Sequence, residues 1–99
     1  MHARVTTLHM DPSALDEVTA QLERDDVPAF EQLNGFKGMT MVGSRESGKA
    51  IALTFWESEE AMRESEEAVR DARRRAADTG GHSGEPQVEH YEVLLSTMP

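Results

Sequence analysis

Hydrophobic and polar residues alternate with a period of two in two adjacent segments near the middle of the chain. One segment runs from Phe36 to Val42 and the other from Lys49 to Trp56, with the turn residues Arg45–Gly48 between them. Alternation of this kind, bounded by turns that contain glycine, is typical of a β-hairpin. The pattern therefore predicts two neighbouring antiparallel strands.

The register of the predicted hairpin follows from its four-residue turn, which places Ser44 opposite Lys49. Residues that lie opposite each other share one face of a sheet. One face then carries Val42, Ile51, Leu53 and Phe55. The other face carries Met39, Met41, Ala52, Thr54 and Trp56. A single β-bulge would exchange the two faces.

A helix is predicted before the hairpin, over Pro12–Glu23. Asp11 precedes it as an N-cap residue, and proline suits the first helical position because its missing N–H would have no partner there. One apolar stripe at helical spacing marks the buried side, formed by Leu15, Val18 and Leu22. Pro28 interrupts this pattern, and a further helical turn is expected to bury Phe30.

A second long helix is predicted to begin after Ser58, its N-cap, and to end at Gly80-Gly81. Its apolar stripe consists mostly of small side chains, namely Ala61, Met62, Ser65, Ala68, Val69, Ala72 and Ala76. Small side chains allow close approach, so this stripe is expected to pack on the sheet face that carries Leu53. The charged side of the helix, including the run Arg73–Arg75, is expected to face solvent, and a phosphate site at this run is the less favoured alternative.

Two outer strands complete the predicted fold. Ala3–His9 mixes β-branched and polar residues, and Gln87–Leu95 follows the glycine-rich surface loop His82–Pro86. The element order β-α-β-β-α-β is that of an α+β, ferredoxin-like fold, with a four-stranded antiparallel sheet and two helices on one face. We expect a single domain over residues 1–99.

The sheet face without helices is expected to bind a second copy of the chain. With the helices on the Leu53 face, the open face carries Met39, Met41 and Trp56, which is more apolar surface than a small domain leaves in water. A chain of 99 residues also buries only somewhat more than ~60% of its unfolded surface, so its core is modest. The predicted protein is a homodimer.

The composition narrows the classes of partner. The formal net charge of −9 opposes binding to nucleic acid and to anionic membranes, which both favour a positive surface. The absence of cysteine excludes disulfides and thiolate chemistry. No segment has the length of a membrane span or the pattern of a signal peptide, so a cytoplasmic location is expected.

Two segments carry a resemblance to a known family: Gly35–Gly38 at the start of the second strand and Phe55–Ala61 at the end of the third. With them, the chain from Arg4 to Leu95 resembles the antibiotic biosynthesis monooxygenase-like (ABM) superfamily of dimeric α/β barrels. The resemblance implies two sheets packed face to face, with a pocket in each subunit between sheet and helices. Members of the superfamily include cofactor-independent oxygenases of quinols and aromatic polyketides, and haem-degrading enzymes.

The haem-degrading branch uses an asparagine on the first strand, with a tryptophan and a histidine on the second helix. The corresponding positions here lie near Thr7, Ser65 and Arg74, and none of them matches. The resemblance therefore favours oxygenation of a small aromatic or quinol-type molecule without a cofactor, and it disfavours haem cleavage.

Cofactor-independent oxygenation needs a base and an apolar pocket. His90 and His9 are the candidate catalytic bases, because they are the histidines within the strands, away from the terminus and the glycine loop. His90 is expected beside Thr6 of the first strand, and Glu92 beside Arg4. An ordinary half-exposed strand histidine is the competing interpretation. His90 and Glu92 share a strand face, but two ligands without a third do not predict a metal site, and no metal is expected.

The residues predicted to bind a ligand are Trp56, Met41, Met39, Thr54 and Thr7. Trp56 could stack on an aromatic ring, and methionine side chains adapt to apolar ligands. The competing interpretation places Trp56 at a barrel end or a subunit contact and the methionines in the core or the dimer interface.

Three functions stay open at this point. The leading one is a cofactor-independent monooxygenase acting on a small aromatic molecule. The second is a non-catalytic binding or stress-response barrel. The third is a structural dimerisation module whose pocket is filled by its own side chains.

Overall fold

The strands of the described chain form one antiparallel sheet of four. The computed structural model describes residues 1–81 and 84–98. The strands are β1 (His2–His9), β2 (Phe36–Gly43), β3 (Lys49–Trp56) and β4 (Gln87–Glu92). Their order is β2-β3-β1-β4, which confirms the predicted α+β, ferredoxin-like fold. Of the predicted loop His82–Pro86, His82 and Ser83 lie outside the described residues.

The first helical segment is longer than predicted and unevenly wound. It comprises a 3-10 turn (Pro12–Ala14), α1 (Leu15–Gln21), a π-helical stretch (Leu22–Asp26) and α2 (Val27–Phe30). The predicted N-cap is confirmed, because the Asp11 carboxylate accepts a hydrogen bond from the backbone N–H of Ser13 at 2.9 Å. Pro28 lies in the first turn of α2, a position at which proline is tolerated, and the helical segment continues through it.

The second helical segment is broken where the pattern predicts one helix. Its two parts are α3 (Glu59–Glu64) and α4 (Glu66–Gly80). The predicted N-cap at Ser58 is confirmed, since its hydroxyl accepts a backbone hydrogen bond at 3.1 Å. The break at Ser65 follows from competition for the carbonyl of Met62, which accepts hydrogen bonds from the Ser65 hydroxyl at 2.6 Å and from Arg4 Nη2 at 2.7 Å. In the described part of the chain, no helix is both long and apolar enough to cross a membrane.

The central hairpin has the predicted register, with Met39 opposite Thr54. The pairing of β4 with β1 differs from the prediction by two residues: His90 lies opposite Arg4 and not opposite Thr6. β4 also ends at Glu92 and does not continue to Leu95. The prediction failed here because β4 is a mostly polar edge strand, whose apolar pattern is too weak to fix a register.

The helices cover the sheet face opposite to the one predicted. Trp56 is fully buried, and Met39 and Met41 pack against the apolar clusters formed with the helices. The open face instead carries Val42, Ile51, Leu53 and Phe55. The prediction that Met39, Met41 and Trp56 form the open face is therefore wrong. Alternation separates two sets of residues, but it does not state which set the helices cover; here the small side chains of α3 and α4 accommodate the bulky indole and thioether groups.

Candidate functional site

A small cavity lies between the helix-covered sheet face and the helices. Its volume is about 40 Å³, enough for the centres of a few water molecules. The sheet contributes Thr6, Leu8, Met39, Met41, Ala50, Ala52 and Thr54 to the wall. The helices contribute Leu22, Phe30, Val69, Ala72, Arg73 and Ala76. The lining is thus mainly apolar, with two hydroxyl groups and one charged side chain.

A cleft of about 280 Å³ adjoins the cavity on the side of the edge strand β2. Leu22, Met39 and Met41 line both spaces, so they form the boundary between them. Leu22 and Glu23, another residue of the cleft, belong to the π-helical stretch. A π-helical turn widens the helix locally and is frequent at functional sites. The uneven winding of the first helical segment therefore coincides with the boundary of the cavity.

Arg73 is the charged residue of the lining. Its side chain is 13% exposed, and its Nε and Nη2 atoms are buried without a hydrogen-bond partner among the described residues. The Oε1 atom of Glu66 lies 3.8 Å from Nη2, beyond hydrogen-bond distance. Burial lowers the pKa of Arg73, the charge of Glu66 raises it, and the charge of Arg70 lowers it further. A guanidinium remains protonated in proteins, so Arg73 places a poorly compensated positive charge at the cavity wall.

A second buried guanidinium, that of Arg4, is held by several partners. Its Nη1 donates to the Ser65 hydroxyl at 3.0 Å, and its Nη2 donates to the Met62 carbonyl at 2.7 Å. The same Nη2 lies 2.8 Å from Oε2 of Glu66. Burial lowers the pKa of Arg4, while the charge of Glu66 raises it. Glu66 is therefore engaged more closely by Arg4 than by Arg73.

Trp56 is not part of the cavity wall, but it supports one of the residues that are. Its ring is fully buried and makes an edge contact with Phe36, with the ring centres 5.3 Å apart. Its indole Nε1 donates a hydrogen bond to the hydroxyl of Thr54 at 3.0 Å. The Thr54 hydroxyl keeps its own proton for donation, so Trp56 orients a polar group of the lining.

The structure brings together three of the five residues predicted to bind a ligand. Met39, Met41 and Thr54 line the cavity, and Trp56 contacts it through Thr54. Thr7 lies opposite Ile51 and therefore on the open face of the sheet, away from the cavity. Whether these residues bind a ligand stays a prediction.

The candidate bases lie outside the lining of the cavity. His90 is exposed on β4, and His9 is exposed at the end of β1. His9 borders a polar surface depression that also includes Asp11 and Ser47. Within residues 1–81 and 84–98, no three histidine or carboxylate side chains are grouped so as to hold a metal ion. The role of both histidines as bases stays a prediction.

The position of Arg73 in the cavity wall was not predicted from the sequence. The run Arg73–Arg75 is predicted to face solvent, and for Arg73 this is wrong. A signal for its burial exists in the sequence. Arg73 lies four residues after Val69 and three before Ala76, which places it on the apolar stripe of the helix. The prediction was wrong because Arg73 was grouped with the neighbouring arginines and its helical spacing was not considered.

The chain has relatives in sequence among the proteins of Mycobacterium tuberculosis. No protein-family model matches the chain. An uncharacterised protein of Mycobacterium tuberculosis (strain ATCC 25618 / H37Rv) is 35% identical over 95 residues, covering 96% of this chain and 39% of that protein. Another from the same strain is 34% identical over 93 residues, covering 94% of this chain and 41% of that protein. The chain thus spans about two fifths of the length of these relatives.

Solved structures are similar over nearly the whole chain. A monooxygenase from Streptomyces coelicolor, in complex with the ligand nanaomycin D, has a TM-score of 0.80 at 19% identity and covers 99% of this chain and 91% of that chain. A haem-degrader from Mycobacterium tuberculosis, with two haems in its active site, has a TM-score of 0.70 at 19% identity, with coverage of 99% and 100%. A cofactor-independent oxygenase from Streptomyces nogalater has a TM-score of 0.65 at 16% identity, with coverage of 97% and 95%. The chain therefore shares the fold of these three proteins.

Proposed function

We propose that the chain binds a small aromatic molecule between its sheet and its helices, and acts on it as a cofactor-independent monooxygenase. The observation that carries the proposal is the mainly apolar cavity with its adjoining cleft. Apolar walls with a few polar groups are typical of small-molecule sites. Two proteins of similar fold are described with ligands bound, nanaomycin D in one and haem in the other, which supports a ligand site in this architecture.

The proposed reaction converts a ring CH₂ group, as in an anthrone, to a carbonyl group. One atom of O₂ enters the product, and the other leaves as water with the two hydrogens of the substrate, so the four electrons lost by carbon reduce one O₂. Electron transfer to O₂ starts from the substrate anion, and an apolar site keeps water away from that anion. Among the residues that the structure describes, no carboxylate or imidazole lines the cavity, so the substrate is expected to be one that ionises readily in water.

The proposal is tested by incubating the purified chain with a panel of quinols and anthrones while oxygen uptake and melting temperature are recorded. A bound ligand raises the melting temperature. Ala72→Val adds two carbons to the cavity wall, and Ala77→Val makes the same change at a position of α4 outside the lining. We expect Ala72→Val to abolish oxygen uptake and Ala77→Val to retain it.

The outcomes separate the three functions. Oxygen uptake with one O₂ consumed per carbonyl formed supports the monooxygenase. A raised melting temperature without oxygen uptake contradicts it and favours the non-catalytic binding barrel. No signal from any compound contradicts both and favours the structural module.

The open face of the sheet supports self-association as part of the same proposal. On this face Val42 is 51% exposed and Tyr91 is 50% exposed, and Leu94 in the segment after β4 is 89% exposed. A second copy is expected to cover this apolar surface. In sedimentation experiments, Leu53→Lys should give a single subunit, whereas Glu46→Lys in the hairpin turn should remain a dimer. A wild-type chain that sediments as one subunit would contradict the proposal.

A further inference from the structure

The wall of the cavity carries one cation, Arg73, although the chain as a whole has a formal net charge of −9. Glu66 faces three guanidinium groups. Its Oε2 lies 2.8 Å from Arg4, and its Oε1 lies 3.8 Å from Arg70 and from Arg73. One carboxylate therefore compensates three cations, and its shortest contact is with Arg4.

Arg73 is the least compensated of the three. Arg70 is 56% exposed, so water solvates its charge, and Arg4 has hydrogen bonds to protein groups. Arg73 is 13% exposed and has two buried nitrogens without a hydrogen-bond partner among the described residues. A buried charge in this condition is destabilising, and an unsatisfied polar group in a native structure calls for a physical reason.

We infer that Arg73 recognises an oxyanion, a carboxylate or a phenolate carried on an apolar body, within the cavity. This inference rests on the proposed function, because it requires a small molecule in that space. The two unpartnered nitrogens, Nε and Nη2, form one edge of the planar guanidinium, and this edge offers two parallel N–H donors. Such a fork matches the two oxygens of a carboxylate, or one phenolate oxygen.

The surroundings of Arg73 suit the remainder of such a ligand. Leu22, Met39 and Met41, at the boundary of cavity and cleft, provide apolar contact for the body of the molecule. The carboxylates Glu23 and Glu31 border the cleft and are exposed, so salt and water screen their repulsion of an anion. The inner wall is therefore positive where the outer rim is negative, and the ligand charge is expected at the inner wall.

The experiment compares anionic probes with neutral probes of the same shape. 4-Ethylbenzoate is paired with 4-ethylbenzamide, and 4-nitrophenolate is paired with 4-nitroanisole. Affinities are measured by calorimetry on the full chain, and the binding place is located by NMR of ¹³C-labelled methionine methyl groups. The signals of Met39 and Met41 are assigned with Met39→Leu and Met41→Leu.

We expect an anionic probe to bind at least about tenfold more tightly than its neutral partner, since hydrogen bonds to charged groups are the stronger kind. Arg73→Met should remove this preference, Arg73→Lys should keep part of it, and Arg74→Met, at an exposed neighbouring position, should keep all of it. A preference for the benzoate pair identifies a carboxylate ligand, and a preference for the nitrophenolate pair identifies a phenolate.

Failure of this inference differs from failure of the proposed function. If anionic and neutral probes bind with equal affinity and both shift the Met39 and Met41 signals, the cavity is a ligand site and Arg73 does not recognise an oxyanion. If no probe shifts those signals, the cavity is not a ligand site, and both proposals are overturned. The comparison of probes on the wild-type chain decides this even if a variant fails to fold.

Discussion

Two buried guanidinium groups lie on the helix-covered side of the sheet, and their surroundings are opposite. Arg4 is 1% exposed, donates hydrogen bonds to Ser65 and Met62, and lies 2.8 Å from a carboxylate oxygen of Glu66. Arg73 lines the cavity, and its contact with Glu66 is 3.8 Å long. Both terminal nitrogens of Arg4 have hydrogen-bond partners and only its Nε lacks one, whereas Arg73 lacks a partner for both Nε and Nη2 among the described residues.

The difference separates the structural role of Arg4 from the ligand-binding role proposed for Arg73. Arg4 joins β1 to the break between α3 and α4, so its charge is compensated by groups that the fold itself supplies. Two nitrogens of Arg73 have no hydrogen-bond partner among the described residues, and the carboxylate of Glu66 lies 3.8 Å away. Local rules of stability are broken mainly at functional sites. Removing each charge should therefore have opposite effects on the stability of the chain.

The largest effect is expected for Arg4→Met. The substitution removes two hydrogen bonds and leaves the half-buried Glu66 without its closest cation, so the free energy of unfolding should fall by about 3 kcal/mol. Chemical denaturation measures this change. Arg70→Met is the matched control, because Arg70 also lies near Glu66 but is 56% exposed, and its loss should cost less than about 0.5 kcal/mol. Equal losses in the two variants would contradict a structural role for Arg4.

A smaller effect of opposite sign is expected for Arg73→Met. The substitution replaces a poorly compensated buried charge by an apolar side chain of similar length, so the free energy of unfolding should rise by about 1 kcal/mol in the absence of ligand. The same denaturation experiment measures it. A loss as large as that of Arg4→Met would show that Arg73 stabilises the fold, and the comparison of the two regions would fail.

The sequence predicted the fold where the determining contacts are local. The hairpin register and the caps at Asp11 and Ser58 depend on residues a few positions apart, and all three predictions are confirmed. The sheet face covered by the helices depends on packing between distant elements, which alternation does not specify. The pairing of β4 with β1 also depends on distant elements, and both predictions are wrong.

The candidate site was predictable to a similar degree. Met39, Met41 and Thr54 could be grouped from the hairpin register alone, and they share the cavity wall. Leu22 and Arg73 come from two different helical segments, and no local pattern brings them to the same cavity. The charge of Arg73 also favours a surface position unless its helical spacing is considered first.

Thr54→Val is expected to have a moderate effect, because Thr54 links the two regions. Its hydroxyl accepts the hydrogen bond of the Trp56 indole, and the Trp56 ring lies 5.9 Å from the guanidinium carbon of Arg4. The substitution leaves a buried N–H unsatisfied and should lower the free energy of unfolding by roughly 1 kcal/mol. Thr6→Val, a change of the same shape at the same cavity, should cost less. An equal loss of stability in the two variants would show that the indole hydrogen bond makes no separate contribution to the free energy of unfolding.

The smallest effect on stability is expected for the exposed ion pair between Asp16 and Arg45. Two hydrogen bonds of 3.0 and 3.2 Å join them, but both side chains are at least 75% exposed. The hydrogen bond from Arg45, together with its charge, lowers the pKa of Asp16 in the folded chain. Between the lowered pKa and the ordinary one, the unfolded chain therefore binds more protons than the folded chain. The contribution of the pair to stability is present above the ordinary aspartate pKa of about 4 and is lost as the pH falls through the lower pKa of the folded chain.

Denaturation of the wild type and of Asp16→Asn should show this behaviour. The measurements run from about pH 2 to about pH 7, a range that includes the ordinary aspartate pKa of about 4. The difference in stability should be largest near neutral pH, should disappear at the acid end, and should shrink in high salt because exposed pairs are screened. Arg45→Gln should give the same pH dependence, since it removes the other half of the pair. A difference that persists at acid pH would show that Asp16 acts through its size or through the start of the helix. The charge of this exposed pair would then contribute nothing to stability, unlike the charges of the buried Arg4 and Arg73.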